Sequence, residues 1–216
     1  EQPRAGLFDG GGRAFDRHER TGAHLNEIAY QPRGPYWGFN FGGGPAYTVA
    51  PFSVSRPPVA SDGLSVFFGS GTDASVGRWS ADGRLVAQIR WDGPAREVTR
   101  ELIDRFEAGR LGSDASDEEL AIARAMLEGL EYPETLPEYQ SLLVDSEGYL
   151  WIQRYRGEWE NERRWWIFDP SGRWMGEPSV PSSLDVHEVG RDYLLGVRTD
   201  EFGVERVELY GLSRGG

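Results

Sequence analysis

Histidine, serine and the acidic residues are the side chains that could carry catalysis in this sequence, which contains no cysteine. The three histidines, His18, His24 and His187, lack the spacing that puts two imidazoles on one helix face as metal ligands. No Gly-x-Ser-x-Gly motif supplies the exposed nucleophile of a serine hydrolase. The sequence therefore predicts no catalytic residue and no metal ligand.

Acidic residues cluster in the turns at Asp145–Glu147, Asp192 and Asp200–Glu201. Carboxylate oxygens suit calcium, but these turns do not have the ligand spacing of an EF-hand. The glycine-rich stretch Phe41–Pro45 lacks the Lys-Ser/Thr pair of a phosphate-binding loop. We interpret the acidic segments as solvated turns and Phe41–Pro45 as a turn, and we expect no cofactor.

Aromatic residues and arginines are interleaved in one segment of the chain. The aromatic residues are Trp151, Tyr155, Trp159, Trp165, Trp166 and Trp174, and the arginines are Arg154, Arg156, Arg163 and Arg164. Adjacent residues of a strand point to opposite faces, so Trp165 and Trp166 should separate, and most of the rings should pack between sheets. An arginine beside aromatic rings suits an acidic or sugar ligand, and Arg154, Tyr155 and Trp151 are the predicted ligand-binding residues.

The composition limits the class of protein and of partner. The 216 residues are 38% hydrophobic and 12% aromatic, which indicates a folded chain, and 29 Gly with 13 Pro indicate many turns. A net charge of −12 argues against nucleic acid and against anionic membrane surfaces as partners. No apolar run is long enough for a membrane helix, so we expect no membrane insertion.

Turns of two kinds recur and indicate an internal repeat. An apolar strand end, a polar turn and Gly-Arg occur in Leu7–Arg13, and a closely similar pattern occurs in Arg78–Leu85 and Ile167–Trp174. Shorter turns precede nearly continuous apolar strands, as expected when neighbouring sheets cover both faces of a sheet. These turns are Ser61–Gly63, Ser146–Gly148 and Gly190–Asp192.

The strands between these turns fall into groups of antiparallel neighbours, with about four blades of a β-propeller present. One set comprises Gln140–Val144, Tyr149–Tyr155, Arg163–Phe168 and Arg173–Glu177. The other groups are Phe52–Arg90, an incomplete set over Leu184–Tyr210, a looser one over Ala23–Pro51, and an end fragment over Ala5–Phe15. We predict an all-β fold and a single domain over residues 1–216.

A helical insertion is predicted within this domain at residues 97–131. Thr99 is the expected N-cap of a first helix, and Ser116 with Glu119 forms a capping box for a second. The apolar stripe of the second helix should pack on its own sheet rather than bind a partner.

Several segments resemble bacterial six-bladed β-propeller proteins of the NHL-like and TolB-like kind. The resemblance is carried by Tyr139–Trp151, Phe168–Gly176, Gly190–Val197 and Asp200–Glu205, and it extends from about Tyr47 to the end of the chain. It implies further blades before the first residue and a periplasmic or secreted location. Alternatively, the chain ends pair into a smaller ring, in which Leu7–Phe15 would lie beside Val204–Tyr210.

We expect a non-catalytic propeller module that binds a small ligand or a protein partner at its central mouth. The alternative, which the resemblance also suggests, is a calcium-dependent hydrolase or lactonase-like enzyme. Acidic or histidine side chains converging on a channel would favour the enzyme, whereas an aromatic mouth would favour binding. A purely structural repeat domain is a third reading, because one fold serves many functions.

Overall fold

The computed structural model describes residues 6–8, 10–112, 115–157 and 159–214. Antiparallel strands dominate these residues, which confirms the predicted all-β class. Ala5 and Asp9, which belong to the predicted end fragment and to the first repeated turn, lie outside the described residues.

Seventeen strands and two helices occur in the described part of the chain. The first nine strands are β1 (Gly6–Phe8), β2 (Gly12–His18), β3 (His24–Pro32), β4 (Tyr36–Phe41), β5 (Gly44–Val49), β6 (Val59–Ser61), β7 (Ser65–Phe68), β8 (Ser75–Ser80) and β9 (Leu85–Arg90). After them come α1 (Arg100–Arg110), α2 (Asp117–Leu127), β10 (Tyr139–Val144), β11 (Leu150–Arg154), β12 (Glu162–Phe168), β13 (Trp174–Gly176), β14 (Ser179–Pro181), β15 (Leu184–Val189), β16 (Tyr193–Thr199) and β17 (Glu205–Gly211).

These strands form five antiparallel sheets. Sheet I has the order β1-β4-β5 and sheet II is the hairpin β2-β3. Sheet III has the order β6-β7-β8-β9, and sheet IV has the order β10-β11-β12-β13 with β14 also paired to β12. Sheet V has the order β15-β16-β17. Sheets III, IV and V are therefore meanders that follow one another along the chain, as the turn series predicted.

Asp-Gly and Ser-Gly turns close the hairpins within sheets III and IV. Gly83 between β8 and β9 has φ +81°, and Gly172 between β12 and β13 has φ +87°, a backbone conformation that favours glycine. The Asp169 carboxylate accepts the amides of Ser171 and Arg173 at 2.9 and 3.0 Å. The recurring Asp and Gly residues of the sequence are thus the ones that these hairpin turns require.

Sheet IV is the centre of the packing because its two faces are covered by different sheets. Leu150 and Ile152 on β11 pack against Phe67 and Val76 of sheet III. Trp151, between them, packs on the opposite face against sheet V. The central strand β11 is apolar at consecutive positions because alternate side chains enter two separate cores.

The two tryptophans of β12 separate as predicted. Trp165 is 3% exposed and lies with Leu184 and Leu194 in the core between sheets IV and V. Trp166 packs against the core between sheets III and IV. Because the first strand β10 also contacts β6 and β15, the three sheets meet along their first strands.

The helical insertion folds against sheet I. Thr99 caps α1 by accepting the amide of Leu102, and Ser116 and Glu119 form the predicted capping box of α2. Met126 of α2 lies with Trp37 and Phe39 of β4 in a small core, and the Trp37 indole donates to the Met126 carbonyl at 2.9 Å. The apolar stripe of α2 therefore packs on a sheet, as expected.

The pairing suggested for a smaller ring is wrong in the described part of the chain. β1 pairs with β4, β2 pairs with β3, and β17 pairs with β16. Hairpin β2-β3 packs instead on the far face of sheet III, where Phe15 stacks on Phe68 with ring centroids 5.4 Å apart. This contact means that the hairpin packs on sheet III rather than pairing with β17.

Candidate functional site

A cavity lined by tryptophans opens between sheets III and IV. It has a volume of about 630 Å³, which lies within the range of about 300–1,000 Å³ typical of ligand pockets. Trp91 follows β9, and its ring centroid lies 5.2 Å from that of Trp166 and 5.8 Å from that of Phe168. Trp174, which is 58% exposed, forms part of the rim. We call this space the tryptophan cavity.

Arg154 occupies the wall of the tryptophan cavity at the end of β11. Arg154 pairs with Tyr139 at the start of β10, so the cavity lies at one end of sheet IV. The Arg154 guanidinium carbon lies 4.9 Å from the centroid of the Trp166 ring. Nη1 of Arg154 donates to Glu177 Oε1 at 2.6 Å. The cation–π contact and this charge-assisted hydrogen bond hold the guanidinium group over the ring.

A second cavity continues from the first and is lined mainly by arginines. Its volume is about 310 Å³. The lining residues are Arg96, Arg154, Tyr155, Arg156, Glu160 and Arg164. Arg96 and Arg154 line both cavities, so the two spaces adjoin. We call the second space the arginine cavity and the two together the cleft.

The charge of the arginine cavity is opposite to that of the chain as a whole. Four guanidinium groups and one carboxylate line it, whereas the whole chain carries a net charge of −12. Burial lowers the pKa of Arg96, and the neighbouring charge of Arg154 lowers it further. Cations that are close together and partly desolvated favour the binding of an anion.

The arginine cavity is held in place by backbone hydrogen bonds. Nη2 of Arg96 donates to the carbonyls of Tyr155 at 2.7 Å and Pro137 at 3.1 Å. Nη1 of Arg156 donates to the carbonyls of Glu160 at 3.0 Å and Gly157 at 3.3 Å. The guanidinium groups are therefore positioned before any ligand binds, which reduces the entropy cost of binding.

Polar atoms without a partner occur along the cleft. Nε of Arg154, Nε of Arg156 and Nε1 of Trp91 are buried and have no hydrogen-bond partner among the described residues. Such groups are uncommon because an unsatisfied buried donor costs about 1–3 kcal/mol. Two further donors of this kind, Nε2 of Gln153 and Nε1 of Trp165, line neither cavity, so missing partners are not specific to the cleft.

The structure brings two of the three predicted ligand-binding residues together. Arg154 and Tyr155 both line the arginine cavity. Trp151 does not reach the cleft, because its side chain is 3% exposed and lies in the core between sheets IV and V. The Trp151 indole donates to Asp145 Oδ2 at 2.9 Å, so its polar atom has a structural partner.

Trp91 and Arg96 also line the cleft, but the sequence patterns do not identify them. Trp91 could have been inferred from strand alternation, since it lies two residues after Ile89 and both pack against the same core. Arg96 belongs to the segment between β9 and α1 and has no sequence signal of its own. Its place depends on carbonyls that only the fold supplies.

The interpretation of the acidic segments as solvated turns is wrong for Asp145. Its carboxylate is buried and accepts the backbone amides of Glu147 and Tyr149, both at 2.9 Å. It also accepts the Trp151 indole and, at 2.8 Å, Nη2 of Arg214. These donors occupy both carboxylate oxygens, which explains why an acidic side chain is buried here.

The histidines lie on the surface and form no metal site in the described residues. His24 Nε2 lies 3.3 Å from Asp16 Oδ1, and the His18 and His24 rings are 5.4 Å apart. His187 Nε2 lies 3.9 Å from Asp185 Oδ2. Among the described residues, no group of three or more acidic or histidine side chains is placed to hold a metal ion.

None of the helices in the described residues has the length and apolar character needed to cross a membrane.

Comparison with known proteins adds no family assignment. No protein-family profile matches the chain. No curated protein is significantly similar to it in sequence.

Proposed function

We propose that the protein is a β-propeller module that binds a small acidic ligand in the cleft. The observation that carries this proposal is the Arg154 guanidinium, stacked on Trp166 where the tryptophan and arginine cavities adjoin. The ligand places a flat or apolar part against the tryptophans and its acidic group among the arginines. The role of the protein is recognition rather than catalysis.

The propeller assignment is supported by the order of the sheets. Sheets III, IV and V are consecutive meanders, and the first strand of sheet IV contacts the first strands of the other two. Cores of large apolar side chains lie between neighbouring sheets. Blades around an axis have this arrangement. We also propose that the protein has the six-bladed NHL-like architecture and a periplasmic or secreted location.

Arginine suits an acidic ligand better than lysine would at this position. Its planar group presents several donors to a carboxylate and stacks on an aromatic face at the same time. Nη1 of Arg154 is used by Glu177, but Nε has no partner among the described residues. A carboxylate or sulfonate bound in the cleft would accept charge-assisted hydrogen bonds from the guanidinium groups that line the arginine cavity.

The proposal is tested by titration with naphthalene-1-sulfonate, which combines a flat apolar ring system with one anionic group. We expect saturable binding and quenching of tryptophan fluorescence. Arg154→Gln should weaken this binding about 10–100-fold, because a hydrogen bond to a charged group contributes about 1.5–3 kcal/mol.

Arg206→Gln is the matched control, since it removes one positive charge from an exposed arginine on sheet V. It should leave the affinity unchanged, which separates a local contact from an effect of net charge. Equal affinities for the two variants, or no saturable binding by the wild-type protein, would overturn the proposal.

A further inference from the structure

The cleft continues beyond the arginine cavity into a third cavity. This space has a volume of about 730 Å³ and shares Tyr155 and Arg156 with the arginine cavity. Helix α1 supplies Arg105, Phe106 and Arg110 to its wall. Neighbouring cavities thus share lining residues in series, with Arg154 and Arg156 at the two junctions, and we call the three together the groove.

The third cavity, which we call the far cavity, combines aromatic rings and arginines as the tryptophan cavity does. Phe52, at its centre, lies 5.4 Å from the Phe106 ring and 6.0 Å from the Trp159 ring. The guanidinium of Arg110 lies 5.2 Å from the Phe106 centroid. Aromatic faces and arginines thus occur together at both ends of the groove, with an arginine-lined stretch between them.

Phe52 also has an unusual backbone. Its φ is +50°, the only positive value among the described residues other than glycine. A residue other than glycine in this backbone conformation costs about 1–3 kcal/mol, and such residues are found preferentially at ligand sites. Burial of Phe52, which is 5% exposed, holds the ring in the wall of the far cavity.

The backbone of Tyr155, Arg156 and Gly157 in the groove is largely occupied by hydrogen bonds within the chain. The amides of Tyr155, Arg156 and Gly157 donate to Glu138 O, Gln140 Oε1 and Glu160 Oε1. The carbonyls of Tyr155 and Gly157 accept from Arg96 and Arg156. A peptide that adds as a strand needs free backbone groups, so this segment offers its rings and guanidinium groups rather than its backbone.

We infer that the groove binds a linear acidic oligosaccharide, with pyranose rings against the aromatic faces and carboxylates on the arginines. This inference rests on the proposed function of the cleft and extends it to a class of ligand. Pyranose rings have flat apolar faces, and uronic acids carry one carboxylate on each ring. Such a ligand offers an apolar ring face and a carboxylate to the aromatic residues and arginines that line the groove.

The length of the ligand provides the test. We expect tetragalacturonate to bind at least about ten-fold more tightly than digalacturonate, because only the longer chain reaches the far cavity. Arg110→Gln should remove most of that gain and leave the affinity for digalacturonate unchanged. Arg100→Gln, on the same helix but outside the groove, should change neither affinity.

Three outcomes would overturn the inference. They are equal affinities for the two oligomers, equal effects of Arg110→Gln and Arg100→Gln, and binding of tetraglutamate as tight as that of tetragalacturonate. If these occur while naphthalene-1-sulfonate still binds in an Arg154-dependent manner, the acidic-ligand function stands and only the oligosaccharide class fails. Loss of both kinds of binding would mean that the proposed function itself fails.

Discussion

At the residue scale, arginine and tryptophan side chains take different roles according to the face of the sheet on which they lie. Arg154 and Trp166 face the cleft, whereas Trp151 and Trp165 fill the core between sheets IV and V. Alternation along β11 already separates Trp151 from Arg154, which lies three residues later. That rule, applied consistently, would have removed Trp151 from the predicted site.

Asp145 provides a test of the structural role of the acidic turns. Asp145→Ala removes a buried carboxylate and leaves the Trp151 indole without its acceptor, whereas Arg214 keeps the carbonyls of Gly190 and Arg191. We expect the free energy of unfolding to fall by about 1–3 kcal/mol, the cost of leaving a buried donor without a partner. Urea denaturation measures this loss.

Asp169→Ala is the matched control, because Asp169 accepts turn amides in the same way but its turn is exposed. Its loss of stability should be clearly smaller than that of Asp145→Ala. Equal losses for the two variants would show that burial of Asp145 does not determine its contribution.

At the element scale, local sequence rules account for the sheets and helices better than for the cleft. The strands of sheet IV and the capping box of α2 follow from alternation and from hydrogen-bonding groups close in the chain. The position of Arg96 does not, because it depends on the carbonyls of Pro137 and Tyr155, which are distant in sequence. The place of Arg96 in the cleft was therefore outside the reach of sequence patterns.

The capping box of α2 allows a prediction of stability and of its pH dependence. Ser116→Ala should lower the free energy of unfolding by about 1 kcal/mol at near-neutral pH, because the Glu119 amide loses its acceptor. The Ser116 hydroxyl and backbone amide lower the pKa of Glu119 in the folded protein. The contribution of Glu119 is therefore present above its unfolded-state pKa and is lost as pH falls through the folded-state value.

Glu119→Gln isolates this titration. It should be less stable than the wild-type protein near neutral pH and approach it in stability as the pH falls to the acidic range. Urea denaturation at a series of pH values measures the difference. A difference that stays constant with pH would contradict the role assigned to the Glu119 carboxylate.

At the scale of the whole molecule, sheet IV connects the site to the fold. One face of this sheet forms the core with sheet III and carries Trp166 and Arg154 at its end, and the other face forms the core with sheet V. The repeated turns allowed the meanders to be predicted. The arrangement of sheets I and II was not predictable, because their pairing joins β1 to β4 rather than to its neighbour β2.

The central claim, that the cleft binds an acidic ligand, is tested most directly by the indole N–H resonances of the 8 tryptophans in a nitrogen-15 spectrum. On addition of naphthalene-1-sulfonate, the resonances of Trp91, Trp166 and Trp174 should shift, since these residues line the tryptophan cavity. Those of Trp37 and Trp151, which donate to Met126 O and Asp145, should not move. Shifts confined to Trp37 and Trp151, or no shift at all, would contradict the account.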